Sequence, residues 1–269
     1  MNAADLLLEV PGARLRYRDE GAGNAVVLVH GWTLDLEMWE PQAPLARHYR
    51  VIRYDRRGFG LSTGLPSLTD DVDDLHALLV SRGVTGPILL GMSQGARVVL
   101  EFAVRYPGVA RGIVLDGAPP ISAADAYGAT DLPMQVFRQA VARGGLAAFR
   151  KLWSAHPLTR LVTREAATHL LLAAMFTRYP GQDLIAPQPP TRESLAERLL
   201  DGIHTPVLIV NGALDVDSRR RAGLRLLESL PAASHVLIQN AAHLPNLDAP
   251  RDYNQLISEF ASRQMPVAA

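Results

Sequence analysis

Short apolar runs alternate with amphipathic stretches along most of the chain. Ala25–His30 is a continuous apolar run, which suits a strand buried on both faces of a parallel sheet. Tyr49–Tyr54, Pro87–Met92, Gly112–Asp116, Pro206–Asn211 and His235–Gln239 read as further strands. Leu6–Val10 and Arg14–Arg18 are expected to pair across the turn dipeptide Pro11-Gly12. Helices are predicted between these runs, over Glu37–His48, Thr69–Arg82, Ala96–Tyr106, Ser218–Leu230 and Tyr253–Arg263. Asp70, Asp71, Asp73 and Asp74 fall in the first turns of the second, where the helix dipole favours negative charge. The alternation stops from about Gly117 to Gly202. Val136–Val141, Leu146–Trp153 and Arg164–Phe176 look helical there, and Pro187-Gln188-Pro189-Pro190 reads as a loop. The pattern predicts a doubly wound, mostly parallel α/β sheet built from residues 1–116 and 203–269, interrupted by a helical insertion over 117–202.

Composition narrows the function classes. The 269 residues are 48% hydrophobic and 20% charged, enough for one large core and against wholesale disorder. A formal net charge of +0 gives no general attraction to nucleic acid or to an anionic membrane. Lys151 is the only lysine, a bias that points to a GC-rich bacterial genome. The sequence has no cysteine, so disulfides, thiolate chemistry and cysteine-ligated metals are excluded. Met1-Asn2-Ala3-Ala4-Asp5 does not begin a secretory signal, and no apolar run approaches the roughly 20 residues of a spanning helix. A cytoplasmic location is expected.

The candidate chemistry starts at Gly91-Met92-Ser93-Gln94-Gly95, placed between a strand and a helix. G-x-S-x-G in that context is a nucleophile elbow, a turn too tight for a Cβ two residues either side of the serine. A serine alone is a poor nucleophile, so a base and an orienting acid are required. In open α/β sheets the carboxyl ends of the strands line the site. Pro206–Asn211 runs into Asp215, and His235–Gln239 runs into His243. The order Ser93, Asp215, His243 suits a triad of nucleophile, acid and base. Asp116, at the end of another strand, and Asp217 are rivals for the acid; Asp217 also suits an N-cap. A tetrahedral oxyanion needs two N–H donors. Gln94, after the nucleophile, offers one, and Trp32, in His30-Gly31-Trp32 after the third strand, offers the other.

These stretches, with Tyr54-Asp55-Arg56-Arg57-Gly58-Phe59-Gly60-Leu61-Ser62, Gly212-Ala213-Leu214-Asp215 and Ala242-His243-Leu244-Pro245-Asn246-Leu247, resemble the α/β-hydrolase superfamily from about Leu6 to Arg263. Within it the chain is similar to small bacterial esterases and lactonases of the 3-oxoadipate enol-lactonase type, notably at Asp35, Met38, Trp39 and His243–Asn246. The resemblance implies an α/β-hydrolase fold and a helical lid over residues 117–202. It also implies an acyl-enzyme on Ser93, with His243 as general base and Asp215 as orienting acid, a small ester or lactone as substrate, and no metal or organic cofactor. Other chemistries share the layout. C–C hydrolases usually carry a tryptophan after the histidine, where this chain has Leu244, and cofactor-free haloperoxidases tend to have a proline where Trp32-Thr33-Leu34 has none. Dehalogenases and epoxide hydrolases need an aspartate in place of Ser93. A ligand receptor that keeps a weakly active triad would look the same in sequence.

The remaining features have plainer expectations. His30 is expected to tie loops together, and His48, His76, His156, His169, His204 and His235 have no metal-ligand spacing. Asp55–Gly60 is expected to shape the loop behind the site, and Arg219-Arg220-Arg221 to be a solvated helix face. In the insertion, Met134, Phe137, Trp153, Met175 and Phe176 are expected to serve both core and pocket. Their apolar character suggests a substrate with a hydrophobic acyl or alcohol part.

Overall fold

The computed structural model describes residues 4–118, 132–186 and 200–265. The Pro187–Pro190 loop and the stretches 119–131 and 187–199 of the expected insertion lie outside the described residues. The strands are β1 (Leu6–Val10), β2 (Ala13–Glu20), β3 (Ala25–Val29), β4 (Arg50–Tyr54), β5 (Ile88–Met92), β6 (Gly112–Asp116), β7 (Val207–Gly212) and β8 (Ala233–Ile238). They form one sheet in the order β1-β2-β4-β3-β5-β6-β7-β8. β1 and β2 pair antiparallel, as do β2 and β4, and every other pairing is parallel.

The alternation of the strands explains the two-sided core. Val26 and Leu28 of β3 and Leu90 of β5 join a cluster with Trp39, Phe149, Tyr253 and Ile257. Val27, Val29 and Leu89 face the other way, into a cluster with Leu75, Val99 and Leu226. Successive residues of a strand point to opposite faces, so a continuous apolar run is what a sheet covered on both sides requires. The covering helices are α1 (Leu68–Ser81), α2 (Gln94–Arg105), α6 (Asp217–Ser229) and α8 (Pro250–Gln264), with α7 (Pro245–Asp248) before the last. Ser67 caps α1 by accepting from the Asp70 N–H. Asp71 and Asp74 point inward from that helix, to Arg56 and Arg57, so their charge serves more than the dipole. The stretch after β3 forms 3-10 turns over Leu36–Arg47 instead of the expected α-helix. Pro41 and Pro44 lie inside it and lack the N–H that α-helical bonding needs.

Between β6 and β7 the described residues carry α3 (Met134–Ser154), α4 (Ala166–Arg178) and α5 (Gln182–Ile185). α3 joins the two helical stretches expected at Val136–Val141 and Leu146–Trp153, and its backbone breaks between them, at Gly144 and Gly145. The insertion is fastened to the core by polar contacts. Trp153 Nε1 donates to Thr33 Oγ1 at 2.7 Å, and Arg178 donates to Asp35 and Glu37, each at 2.8 Å. No described helix is long and apolar enough to cross a membrane.

Candidate active site

β5 runs straight into the elbow. Ser93 sits at φ 51° and ψ −114°, a left-handed conformation that a side chain adopts only under constraint. The constraint is visible on both sides. A Cβ on Gly91 would lie 2.2 Å from the Gly95 carbonyl oxygen, and one on Gly95 would lie 2.2 Å from that of Val29. The glycines therefore let α2 fold back on β5 and pass against β3, and Ser93 stands at the carboxyl end of this central strand. The Ser93 N–H donates to the Asp116 carbonyl at 2.7 Å, which ties the elbow to the end of β6.

His243 and Asp215 arrive from the ends of β8 and β7. His243 Nε2 lies 3.2 Å from Ser93 Oγ, and His243 Nδ1 lies 3.0 Å from Asp215 Oδ2. A carboxylate only accepts, so Nδ1 carries the proton and Nε2 faces the serine hydroxyl with its lone pair. The second Asp215 oxygen accepts from the Val216 N–H at 2.7 Å, which fixes the carboxylate plane. A Cβ on Gly117 would lie 2.8 Å from His243 Cε1, so the loop after β6 can back the imidazole only as glycine. The rival acids go elsewhere. Asp116 accepts from Tyr253 Oη at 2.9 Å, and burial, with Asp215 nearby, pushes its carboxyl well above the usual range despite that hydrogen bond. Asp217 sits in the first turn of α6 paired with Arg220, and Val216 is the residue at the N-cap.

The two segments that carry the Trp32 and Gln94 amides meet beside the elbow. Gln94 opens α2, so its N–H has no intrahelical acceptor. A Cβ on Gly31 would lie 2.8 Å from Met92 Sδ, which places the His30–Trp32 turn directly against the end of β5. His30 is fully buried. Its Nε2 accepts from the Arg56 N–H at 2.9 Å, so Nδ1 bears the proton and donates to the Gly31 carbonyl at 2.7 Å. Burial, and then the Arg56 charge, hold its pKa well below the ordinary histidine value. It ties loops together as expected. Among the described residues no group of three His, Asp or Glu side chains is placed to hold a metal ion.

A small cleft, its mouth open to solvent, lies over Ser93 and His243. Trp32, Trp153 and Phe176 line it. Met134, Phe137 and Met175 do not: Phe137 and Met175 are core residues, and Met134 packs against that core. Phe137 is held in the aromatic cluster around Trp32, where it meets Phe149 and Trp153 edge to face and Trp32 at a tilt, while Phe149 and Trp153 stack on each other.

A family model described as alpha/beta hydrolase fold matches residues 24–250. The chain belongs to the alpha/beta hydrolase fold family. It is 27% identical over 254 residues to a pimeloyl-[acyl-carrier protein] methyl ester esterase of Pectobacterium atrosepticum, covering 93% of this chain and 99% of that one. A thermophilic esterase from Thermogutta terrifontis superposes with a TM-score of 0.81 at 25% identity, over 97% of this chain and 99% of that one. A bromoperoxidase from Bacillus anthracis superposes with a TM-score of 0.80 at 26% identity, over 96% and 100%.

This alpha/beta hydrolase lines its cavity also with Leu158 and Thr159, which the sequence did not single out, and with Arg219, which was not expected there. Arg219 also corrects the expectation of a solvated arginine run, because it is only 2% exposed. It lies on the same face of α6 as the buried Ala222, Gly223 and Leu226, whereas Arg220 and Arg221 turn outward to Asp217. The spacing of three, four and seven residues from Arg219 to those small and apolar positions is the pattern that could have identified it.

Proposed function

We propose that this protein is a cytoplasmic serine hydrolase that cleaves a small carboxylic ester or lactone. The observation that carries this is the chain of contacts from Ser93 Oγ to His243 Nε2 at 3.2 Å and from His243 Nδ1 to Asp215 Oδ2 at 3.0 Å. In the proposed reaction Ser93 Oγ attacks the carbonyl carbon while its proton passes to His243. Asp215 stabilises the imidazolium. The Trp32 and Gln94 amides receive the oxyanion, and each such donor is worth about 2.7–4 kcal/mol to a transition state of this kind. His243 then returns the proton to the departing alcohol. A water molecule, deprotonated by His243, attacks the acyl carbon and frees Ser93. The insertion serves as the lid. Its Trp153 and Phe176 give the pocket an apolar wall, which favours a hydrophobic acyl or alcohol part.

A panel of p-nitrophenyl esters of graded acyl length, together with several lactones, tests the proposal. Wild type is expected to show multiple turnovers, and Ser93→Ala to lose roughly 10⁴-fold or more of kcat. Absence of turnover on the whole panel, or turnover that survives in Ser93→Ala, would sink it. The likeness to a bromoperoxidase favours a second reading, in which hydrogen peroxide replaces water in the attack on the acyl-enzyme and a peracid leaves. Peracid formation from acetate and peroxide at a rate exceeding ester hydrolysis would select that reading.

A further inference from the structure

We propose that Arg56 is a positioning residue that holds the two halves of the oxyanion site together; this rests on the serine hydrolase reading above. The two amides assigned to that site belong to different elements, the turn after β3 and the first turn of α2. Catalysis by such donors depends on their mutual placement to within about 0.5 Å. Arg56 binds both elements at once. Its N–H donates to His30 Nε2 at 2.9 Å and its Nη1 to the His30 carbonyl at 3.3 Å, two residues before Trp32. Its Nη2 donates to Gln94 Oε1 at 2.5 Å.

Arg56 is itself well fixed. It is 1% exposed, its guanidinium carbon lies 4.7 Å from the centre of the Phe59 ring, and its Nε is 3.3 Å from Asp71 Oδ2. Asp71 is fully buried and supplies the counter-charge without which a buried guanidinium would be very costly. The assignment gives Gln94 a purpose that the elbow motif leaves open. Its side chain is the handle by which the strand-end turn and the helix start are joined, while its amide faces the reaction. It also gives a purpose to the second residue of Asp55-Arg56-Arg57. Arg57 differs from its neighbour, because it pairs with Asp74 and Asp70 on α1 and touches neither half of the site.

The test uses Arg56→Met, Arg56→Lys, Gln94→Met and the double variant Arg56→Met/Gln94→Met, with every rate expressed per Ser93 titrated by a fluorophosphonate. Arg56→Met is expected to lower kcat for a p-nitrophenyl ester on the order of 10–100-fold with KM changed less than about threefold. Affinity for a boronic acid that mimics the tetrahedral state should fall by a similar factor. Arg56→Lys should recover only part of the loss, since an ammonium lacks the fork that spans His30 and Gln94. Gln94→Met should fall in the same direction, and the double variant should lose no more than Arg56→Met alone. If Arg56→Met does not fold, Gln94→Met still decides, because it cuts the same link on a half-buried side chain. Variants that match wild type in kcat and boronate affinity per titrated serine would overturn the proposal, as would losses that multiply in the double variant. A wild type that neither turns over esters nor is labelled at Ser93 would overturn the hydrolase reading, and this one with it.

Discussion

In the proposed reaction the imidazole of His243 takes a proton from Ser93 only while its own Nδ1 proton is held on the far side, where Asp215 Oδ2 lies 3.0 Å away. Asn in place of Asp215 would donate as readily as accept, and would favour the tautomer with the proton on Nε2. Asp215→Asn is therefore expected to lower kcat by about 10⁴-fold. Asp116→Asn gives the contrasting result. Burial pushes that carboxyl towards its neutral form, its contact is Tyr253, and an amide oxygen can accept the same hydrogen bond. Activity should stay within about tenfold of wild type, the range of an ordinary core substitution. Steady-state kinetics of the two variants side by side checks both, and the reverse order would make Asp116 the acid. The contrast explains why the site was partly legible in the sequence. The types and strand-end positions of Ser93, Asp215 and His243 suit the nucleophile, acid and base roles proposed for them, and few other residue types would. Phe137 and Trp153 are both apolar residues on one helix, yet only Trp153 reaches the cavity. Periodicity reports that a side chain is buried and is silent on what it is buried against.

At the scale of elements, the parallel strands were legible because continuous apolar runs have few other uses. The stretch over Leu36–Arg47 was not, since its apolar spacing suits a helix while Pro41 and Pro44 favour tighter turns. The contacts between elements were also invisible in sequence, and one of them bears on the site. Asp248, at the end of α7, accepts from the Val162 and Thr163 N–H groups at 2.6 and 3.0 Å through one oxygen. Through the other it accepts from the Ala242 N–H at 2.9 Å. One carboxylate thus joins the insertion to the residue before His243. Asp248→Ala would leave three backbone donors without it, and charge-assisted hydrogen bonds are the strong ones. A loss of about 2–4 kcal/mol in urea unfolding is expected, with a fall in kcat as the His243 loop loosens. Unchanged stability together with unchanged kcat would show that the insertion and the base are held independently.

Over the whole molecule, the buried carboxyls make stability depend on pH in the direction opposite to ordinary surface ion pairs. Burial, with Asp74 and Asp70 adding and Arg56 and Arg57 opposing, pushes the Asp71 carboxyl up to about 6. Burial, then Asp35, pushes Asp55 up to about 7 against the Leu61 and Leu36 N–H groups and Arg16. In the unfolded chain both ionise near 3.8. Above that pH the unfolded chain releases protons that the folded chain keeps. Their contribution is therefore complete below 3.8 and is lost as pH rises through 6 for Asp71 and 7 for Asp55. His30 works the other way, because it stays neutral when buried while the unfolded chain protonates it below 6.5. Asp5 and Asp19, whose burial is outweighed by the hydrogen bonds and charges of their arginine partners so that both are lowered, also lose stability as pH falls. The wild-type curve is a sum of opposing limbs, so a difference is the informative quantity. Asp71→Asn removes one limb and leaves the others in place. Stability of wild type relative to Asp71→Asn should decline by roughly 2 kcal/mol from pH 4 to pH 7, since each unit of pKa displacement is worth about 1.4 kcal/mol and part of the loss is already complete at pH 4. Urea unfolding of both proteins across that range measures it. A difference that is flat, or that grows with pH, would mean that Asp71 is ionised throughout and that Arg56 compensates its burial fully.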